Sequence, residues 1–302
     1  MPSNNIASWF TEKIKDKVTI AVQANGGLLD NTFMNGDETA GTIKFPIVNG
    51  TSTMYKLTGA IEPVPVNSPG VSTVQVIMDD FEDTQFWRTQ DAYKAGPNEQ
   101  QALADLMAMG VRRKRDTIRL DALDAFYVLD GGVNITTTGT GTEVPDLLHF
   151  EKMRAELASY GDNGDTDEVF ITIPEMWASQ LALYKEFGNT QWGSGFAAEG
   201  FSAAQRMKMK TVRGITYIVV PDSYMRSPAG QPTQLYTYMW RKSAMGANTV
   251  YNQEAATMSV RNDLQGDPFQ MKTKLSAAAL GIQAKCVRRA LLSKITAVIR
   301  GP

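Results

Sequence analysis

The feature that most restricts how this chain can fold is one long helix-compatible segment, Gly96 to Gly132. Asn98 can cap a first turn after Pro97, and Gly131-Gly132 is a usual helix end. If Glu99 to Val128 is helical throughout, the rod is about 45 Å long at about 1.5 Å per residue. Since an average globular helix has about 11–12 residues, the other elements must be arranged around this one.

Apolar residues in this segment recur at helical spacing and predict one buried stripe. The stripe consists of Leu103, Leu106, Met107, Gly110, Val111, Ile118, Ala122 and Phe126. Four consecutive basic residues interrupt it, and we call them the basic cluster: Arg112, Arg113, Lys114 and Arg115. Because successive residues step about 100° around a helix, these four cannot all point toward one solvent-exposed side.

The basic cluster has three interpretations. Its long side chains can form a solvated helix face that also covers apolar surface. They can pair with acids, for which the obvious candidate, in the same or a neighbouring chain, is an acidic cluster of Asp79, Asp80, Glu82 and Asp83. They can also contact nucleic-acid phosphates without sequence preference. Ion pairing is the preferred interpretation, followed by phosphate contact.

Composition describes an ordinary folded chain without a strong charge bias. The 302 residues are 43% hydrophobic and 21% charged, with a formal net charge of −2. This length usually divides into about two domains, and the charge alone gives no argument for binding nucleic acid. The longest apolar runs are too short for a membrane span, so we expect no membrane partner. A single cysteine, Cys286, excludes an internal disulfide framework and suits a reducing cytoplasm.

Before the long segment, the pattern predicts an arm and a hairpin. Residues Ile6 to Val22 have helical spacing, and the polar stretch that follows to Gly41 is expected to be an extended arm with little core of its own. From Thr42 to Asp83 the pattern changes to strands and turns, and Pro63, Pro65 and Pro69 argue for an edge or protruding hairpin. Such a hairpin is poorly stable alone, so we expect it to need a partner.

After the long segment, helices and strands alternate and then give way to strands. Helices are predicted at Leu147 to Tyr160 and Met176 to Phe187. The predicted strands are Glu168 to Ile173, a hairpin over Met209 to Pro221 with its turn at Arg213-Gly214, Leu235 to Trp240, Thr257 to Arg261, Phe269 to Leu275, and Leu291 to Ile299. The residues thus indicate an α+β chain with two compact parts.

The sequence carries no recognisable catalytic signature. His149 is the only histidine, so with one cysteine no Cys/His zinc site can form, and no phosphate-binding or nucleophile motif is present. The acids Asp162, Asp165, Asp167 and Glu168 surround two glycines, but they lack the ligand order of a calcium loop. A solvated turn is preferred there, and Cys286 is expected to be a buried small residue. We therefore predict no enzyme activity, no catalytic residue, no cofactor and no metal.

The order of these elements resembles the Hong Kong 97-type fold of tailed-bacteriophage major capsid proteins, over nearly the whole chain. The segment VIMDDFEDTQFWRTQDAYKAGPNEQQALADLMAMGVRRKRDTIRLDAL is similar to the junction between hairpin and spine helix in a subgroup of that family. The stretches LYTYMWRKSAMGA and LGIQAKCVRRALLSKI are similar to the same subgroup. These are patterns of element order and side-chain type.

The resemblance implies a division of the chain. Residues 1–41 would be the N-terminal arm and 42–86 the extended β-hairpin loop that reaches over a neighbour. Residues 87–145 and 252–302 would form the peripheral domain with the spine helix, and 146–251 the axial domain. The basic cluster would then face a neighbouring subunit or the DNA, and the acidic cluster would be an interface.

The resemblance also implies a function. The chain would assemble with itself into hexamers and pentamers of an icosahedral phage head that encloses double-stranded DNA through non-specific contacts. It would be part of the virion, assembled in the host bacterial cytoplasm together with a portal protein. Because the arm begins almost at Met1, a separate scaffolding protein is expected. The isopeptide cross-link set of the type member has no match here, and Lys44 and Lys56 are read as surface lysines.

Two alternatives stay open at this point. An encapsulin-like compartment has the same fold but carries protein cargo. A cytosolic α+β enzyme would instead use the acidic turn from Asp162 to Glu168.

Overall fold

The computed structural model describes residues 24–39, 41–49, 54, 70–88, 97–161, 167–183 and 209–296. The predicted helix Ile6 to Val22, the three hairpin prolines, and Asp162 and Asp165 lie outside these residues. Three helices are described: α1 Pro97–Asp130, α2 Leu147–Ser159 and α3 Glu175–Leu181. The strands are β1 Asp37–Thr39, β2 Thr42–Asn49, β3 Gly70–Ile77, β4 Asp79–Trp87, β5 Thr137–Thr138, β6 Val169–Pro174, β7 Met209–Val212, β8 Ile215–Val220, β9 Gln234–Arg241, β10 Met245–Val260, β11 Phe269–Gly281 and β12 Val287–Ser293.

Helix α1 confirms the long helix predicted from the sequence. Its 34 residues give a length of about 51 Å. Of the predicted stripe, Met107, Val111 and Ala122 are buried. Leu120 and Leu123 are buried as well, because the second half of the helix packs against more than one element.

A six-stranded sheet separates α1 from the two shorter helices. Its order is β5-β12-β9-β6-β8-β7, so β12 lies between β5 and β9. Successive residues of β9 point to opposite faces: Trp240 packs in one buried cluster with Leu123 of α1, and Met239 packs in another with Phe150 of α2. The strand is therefore buried on both faces, which explains why apolar and polar residues do not alternate along it.

Strand β9 also fixes the end of α2. The Arg241 side chain is buried, and its guanidinium donates to the carbonyl oxygens of Gly161 at 2.7 Å and Leu157 at 3.1 Å. The Leu157 carbonyl lies in the last turn of α2 and the Gly161 carbonyl just after it, where a positive charge is favourable.

Strands β10, β11 and β4 form an antiparallel sheet under the first half of α1. Val111 of α1 packs in one cluster with Leu275 and Ala277 of β11. At the root of this sheet, Phe126 of α1 lies over Gly281, where an added Cβ would be 2.0 Å from the ring.

The remaining sheet has the order β1-β2-β3 and is anchored through Phe45 of β2. The ring of Phe45 occupies the space that Cβ atoms would need at Gly36 and Gly246. Pro46 follows in the same strand opposite Thr73 of β3. It is tolerated because β1 pairs with β2 only as far as Lys44, so the other edge of β2 at Pro46 has no partner from β1.

Several predicted elements need correction. The arm was expected to have little core of its own, and its residues Leu29 and Phe33, 0% and 3% exposed, instead pack in the main cluster of the subunit. The second helix of the α/β part ends at Leu181 instead of continuing to Phe187. Strand β10 spans 16 residues and begins at Met245, well before the predicted Thr257. Strand β12 begins at Val287, before the predicted Leu291, and pairs with β9.

The close contact between Phe45 and Gly246 generates a stability prediction. Gly246→Ala places a Cβ 2.3 Å from the buried ring and should lower the free energy of unfolding by about 1–3 kcal/mol. Gly110→Ala is the matched control, because its Cβ would meet nothing closer than 3.9 Å inside α1, and it should stabilise by up to about 1 kcal/mol. Denaturant unfolding measures both. Combining Gly246→Ala with Phe45→Leu should cost less than the sum of the single changes, and strict additivity would contradict the contact.

Candidate functional site

The basic cluster lies where an early stretch of chain crosses the middle of α1. We call this stretch, residues 24–36, the crossing segment. Gly26 has φ +75°, and a Cβ there would be only 2.5 Å from the backbone nitrogen of Arg113. The two backbones therefore touch directly, which a residue with a side chain would prevent.

One turn further along α1, Asp116 is completely buried and binds the crossing segment. Its carboxylate oxygens accept hydrogen bonds from the backbone N–H groups of Leu28 and Leu29, each at 3.1 Å. Burial raises the pKa of Asp116 above its ordinary value, although the two N–H donors and the Arg119 guanidinium act in the opposite direction. A buried carboxylate inside a helix is rare unless it is hydrogen-bonded, and here it holds two chain segments together.

Two acids surround the same crossing and neutralise three arginines of α1. Asp30 accepts from Arg115 at 3.1 Å and from Arg119 at 2.5 Å. Glu254 of β10 accepts from Arg112 at 2.8 Å and pairs with Arg115 at 3.0 Å. Burial opposes ionisation of Glu254, but a hydrogen bond from Asn252 and the guanidinium groups of Arg112 and Arg115 lower its pKa. Arg115 thus connects the crossing segment to β10 through one guanidinium.

Lys114 contacts an aromatic ring, whereas those three arginines pair with carboxylates. Its ammonium nitrogen lies 4.3 Å from the ring centroid of Phe81 in β4, a cation–π contact worth about 0.5–1 kcal/mol at a partly exposed position. Burial raises the pKa of Tyr224, and the positive charge of Arg113, the fourth member of the basic cluster, acts in the opposite direction. The charges of the cluster are therefore engaged within the subunit.

The acidic cluster lies on β4, and all four of its side chains are exposed. Glu82 pairs with Lys272 at 3.1 Å and with Lys274 at 3.7 Å across the sheet, and a hydrogen bond from Thr84 together with Lys272 lowers its pKa. Asp80 accepts a hydrogen bond from the hydroxyl of Ser276.

The predicted ion pairing of the basic cluster is therefore found, but with other partners. The acids that neutralise Arg112 and Arg115 are Asp30 and Glu254, not the acidic cluster. These partners are 85 and 142 residues away in sequence, so no local pattern marks them. Asp116 lies in the charged stretch RRKRDTIRLD, so the sequence does not mark its burial either. Contact of either cluster with a neighbouring chain or DNA stays a prediction.

The other polar candidates have structural roles. Asp167 accepts hydrogen bonds from the Ser243 hydroxyl at 2.6 Å and the Ser243 backbone N–H at 3.2 Å. Glu168 pairs with Lys242 at 3.3 Å. Cys286 is buried, as expected, and burial raises the pKa of its thiol. Within the described ranges, no three side chains of metal-binding type are grouped together. Among the same residues, every helix is too short or too polar to cross a bilayer.

Comparison with solved structures identifies the fold. The capsid protein of the cyanophage P-SCSP1u aligns with a TM-score of 0.63 at 12% identity, over 94% of this chain and 93% of that one. The capsid of Ralstonia phage GP4 aligns with the same TM-score at 9% identity, over 98% of both chains, and the protein from Mycobacterium phage Che8 aligns at 0.60 and 12% identity, over 92% and 96%. The fold is that of Hong Kong 97-type capsid proteins.

Sequence comparison then identifies the family. Residues 6–292 match the phage capsid protein family, and the chain belongs to it. It is a major capsid protein whose copies form a shell. Curated protein sequences include no match.

The buried carboxylate generates a prediction for the unassembled subunit. Asp116→Asn keeps the size but replaces one acceptor oxygen with an NH₂ group that faces a backbone N–H. It should lower the free energy of unfolding by about 1.5–3 kcal/mol. Asp121→Asn is the matched control on the same helix, because Asp121 is 53% exposed, and it should cost no more than about 1 kcal/mol. Equal effects of the two changes in denaturant unfolding would contradict the role of Asp116.

The raised pKa of Asp116 also predicts how the destabilisation by Asp116→Asn varies with pH. The folded chain binds the proton of Asp116 more tightly than the unfolded chain. The stability that this group contributes is therefore complete below its unfolded pKa of about 3.9 and is lost as pH rises through the folded pKa. The difference in unfolding free energy between the wild type and Asp116→Asn should be smaller at about pH 8 than at about pH 4.5. The opposite trend would mean that the folded pKa is lowered.

Proposed function

We propose that this chain assembles into hexamers and pentamers of an icosahedral phage head that encloses double-stranded DNA. The observation that carries the proposal is the match of nearly the entire chain, rather than one domain, to capsid structures of several phages. The subunit combines one long helix with three sheets. Within the virion, contacts with DNA would be non-specific and electrostatic.

Assembly in the host bacterial cytoplasm is part of the same proposal. A separate scaffolding protein would guide the curvature of the shell, and a portal protein would occupy one vertex. The support for both partners is the resemblance to tailed-phage capsid proteins, whose heads are built in this way.

We further infer that the basic cluster acts inside the subunit and is not the main DNA contact. Arg112 and Arg115 are neutralised by Asp30 and Glu254 at distances of 2.8–3.1 Å. A phosphate would have to compete with these partly buried carboxylates, and breaking their pairs would leave charges uncompensated. The acidic cluster is exposed and is therefore the better candidate for a contact between subunits.

Electron microscopy of the purified protein tests the main proposal. We expect closed shells when the chain is produced alone or with its scaffolding protein, and these shells should contain DNA when they are isolated from phage-producing cells. Monodisperse subunits under assembly conditions, with the scaffold present, would contradict the proposal. Particles that contain one specific enzyme and no nucleic acid would instead favour an encapsulin-like compartment.

Two single substitutions distinguish a structural role of the basic cluster from a role in binding DNA. Arg115→Gln removes the pairs with Asp30 and Glu254 and should destabilise the unassembled subunit by about 1–2 kcal/mol, since the arginine is only 14% exposed. Lys114→Gln removes only the contact with Phe81 and should cost about 0.5–1 kcal/mol. Thermal unfolding measures these effects, and nucleic-acid content is measured on assembled particles. Similar salt-dependent losses of DNA in both variants, with unchanged stability, would show that the cluster contacts phosphates instead.

A further inference from the structure

The end of α1 displays an exposed apolar surface that belongs to none of the buried clusters. Val128 and Leu129 in the last turn are 75% and 84% exposed, and Val133 after the turn is 79% exposed. We call these three residues the apolar tip. Asp121 and Ala125 are also exposed, and with Val128 and Leu129 they follow the spacing i, i+4, i+7, i+8. The second half of α1 therefore has one helix face that no described element covers.

The apolar tip is held in place by the subunit itself. The Asp130 carboxylate accepts hydrogen bonds from the backbone N–H groups of Asn134 at 2.7 Å and Ile135 at 2.8 Å, which fixes the turn. On the opposite side of the helix end, the guanidinium of Arg289 lies 3.4 Å from the ring centroid of Tyr127 and 4.4 Å from that of Tyr236 in β9. The tip is thus anchored to the six-stranded sheet, and its exposure is not due to fraying of the helix.

The size of the tip indicates what kind of contact it can make. Three aliphatic side chains offer on the order of a few hundred Å² of apolar surface, within the range of a single exposed patch on a monomer. A stable pairwise complex buries roughly 800 Å² per partner. The tip can therefore form the apolar centre of a weak contact but cannot hold a partner by itself. A closed shell of identical subunits is held together by weak contacts that repeat many times. Each contact raises the effective concentration for the next one.

The charged residues around the apolar tip further restrict which surface can pack against it. Asp121 on the same helix face is 53% exposed and pairs with Arg226, which also lies 3.6 Å from Asp124. Arg289 also acts on Asp124, and the Asp130 carboxylate lies at the helix end. Three carboxylates and two guanidinium groups therefore surround the tip and leave its margin slightly acidic. A complementary surface would be apolar at its centre and neutral or basic at its edge.

We propose that the apolar tip is a contact surface for a second copy of this chain in the assembled shell. The proposal rests on the proposed shell function and adds to it the residues that make one of the contacts. Val128, Leu129 and Val133 insert against an apolar surface of the neighbouring subunit, and Asp121 faces its edge.

Substitutions at the tip test the proposal without disturbing the core. The triple variant Val128→Thr, Leu129→Gln and Val133→Thr keeps side-chain size close to the original while removing the apolar character. The matched control is Leu148→Gln, because Leu148 is 73% exposed on α2 and loses the same apolar group elsewhere on the surface. We expect the triple variant to raise the protein concentration needed for shell assembly by about tenfold or more. The melting temperature of the unassembled subunit should change little in either variant.

Photo-crosslinking identifies the occupant of the tip. A benzophenone amino acid introduced at position 129 should give crosslinked dimers in assembled particles and none in unassembled subunits. Wild-type assembly by the triple variant would overturn the proposal, as would an equal loss of assembly in the Leu148→Gln control. Crosslinks confined to one chain would also overturn it, because another part of the same subunit would then cover the tip. If the wild-type chain itself forms no particles, the shell function fails first, so the two failures can be distinguished.

Discussion

The buried carboxylate of Asp116 is the interaction on which the arrangement of this subunit depends. By accepting the N–H groups of Leu28 and Leu29, it fixes an early part of the chain across the middle of the long helix. The following residues then reach two sheets: the carbonyl of Thr32 accepts from the Trp240 indole at 3.1 Å, and Met34 exchanges backbone hydrogen bonds with Met245 and Ala247 at 2.9 Å. The ion pairs of Asp30 and Glu254 surround the hydrogen bonds of Asp116. The basic residues of α1 therefore stabilise a junction between segments that are distant in sequence.

The root of the β10–β11 hairpin is a second point where separate layers meet. Met245 pairs with Gly281, and Gly246 pairs with Leu280, so the two glycines point to opposite faces of the sheet. Phe126 of α1 occupies one face and Phe45 of β2 the other. Because neither glycine has a side chain, each phenylalanine ring packs directly on the backbone of the hairpin. The root of the hairpin therefore fixes the position of α1 relative to the β1–β3 sheet. A single Cβ at either place would separate elements that are far apart in sequence.

The sequence predicted what is encoded locally and missed what depends on distant partners. Helix α1, the β7–β8 hairpin with its Arg213-Gly214 turn, and β9 were predicted because periodicity and turn residues mark them directly. Strand β10 was recognised only in its last part, because its first half contains small and polar residues and is held by pairing with β11. The pairing of the basic cluster was anticipated, but Asp30 and Glu254 could not be, since each lies in an ordinary polar stretch. The overall fold came from the order of elements and not from any single motif.

The position of β12 has a consequence for the timing of folding. This strand, which is synthesised late, lies inside the six-stranded sheet, between β5 and β9. The two strands that it joins are separated in the chain by about a hundred residues, so closing the sheet is a step of high contact order. A ribosome-bound chain that has not yet exposed β12 lacks the strand that connects β5 to the rest of its largest sheet. Incomplete chains therefore cannot complete the six-stranded sheet, on whose two faces α1 and the shorter helices pack.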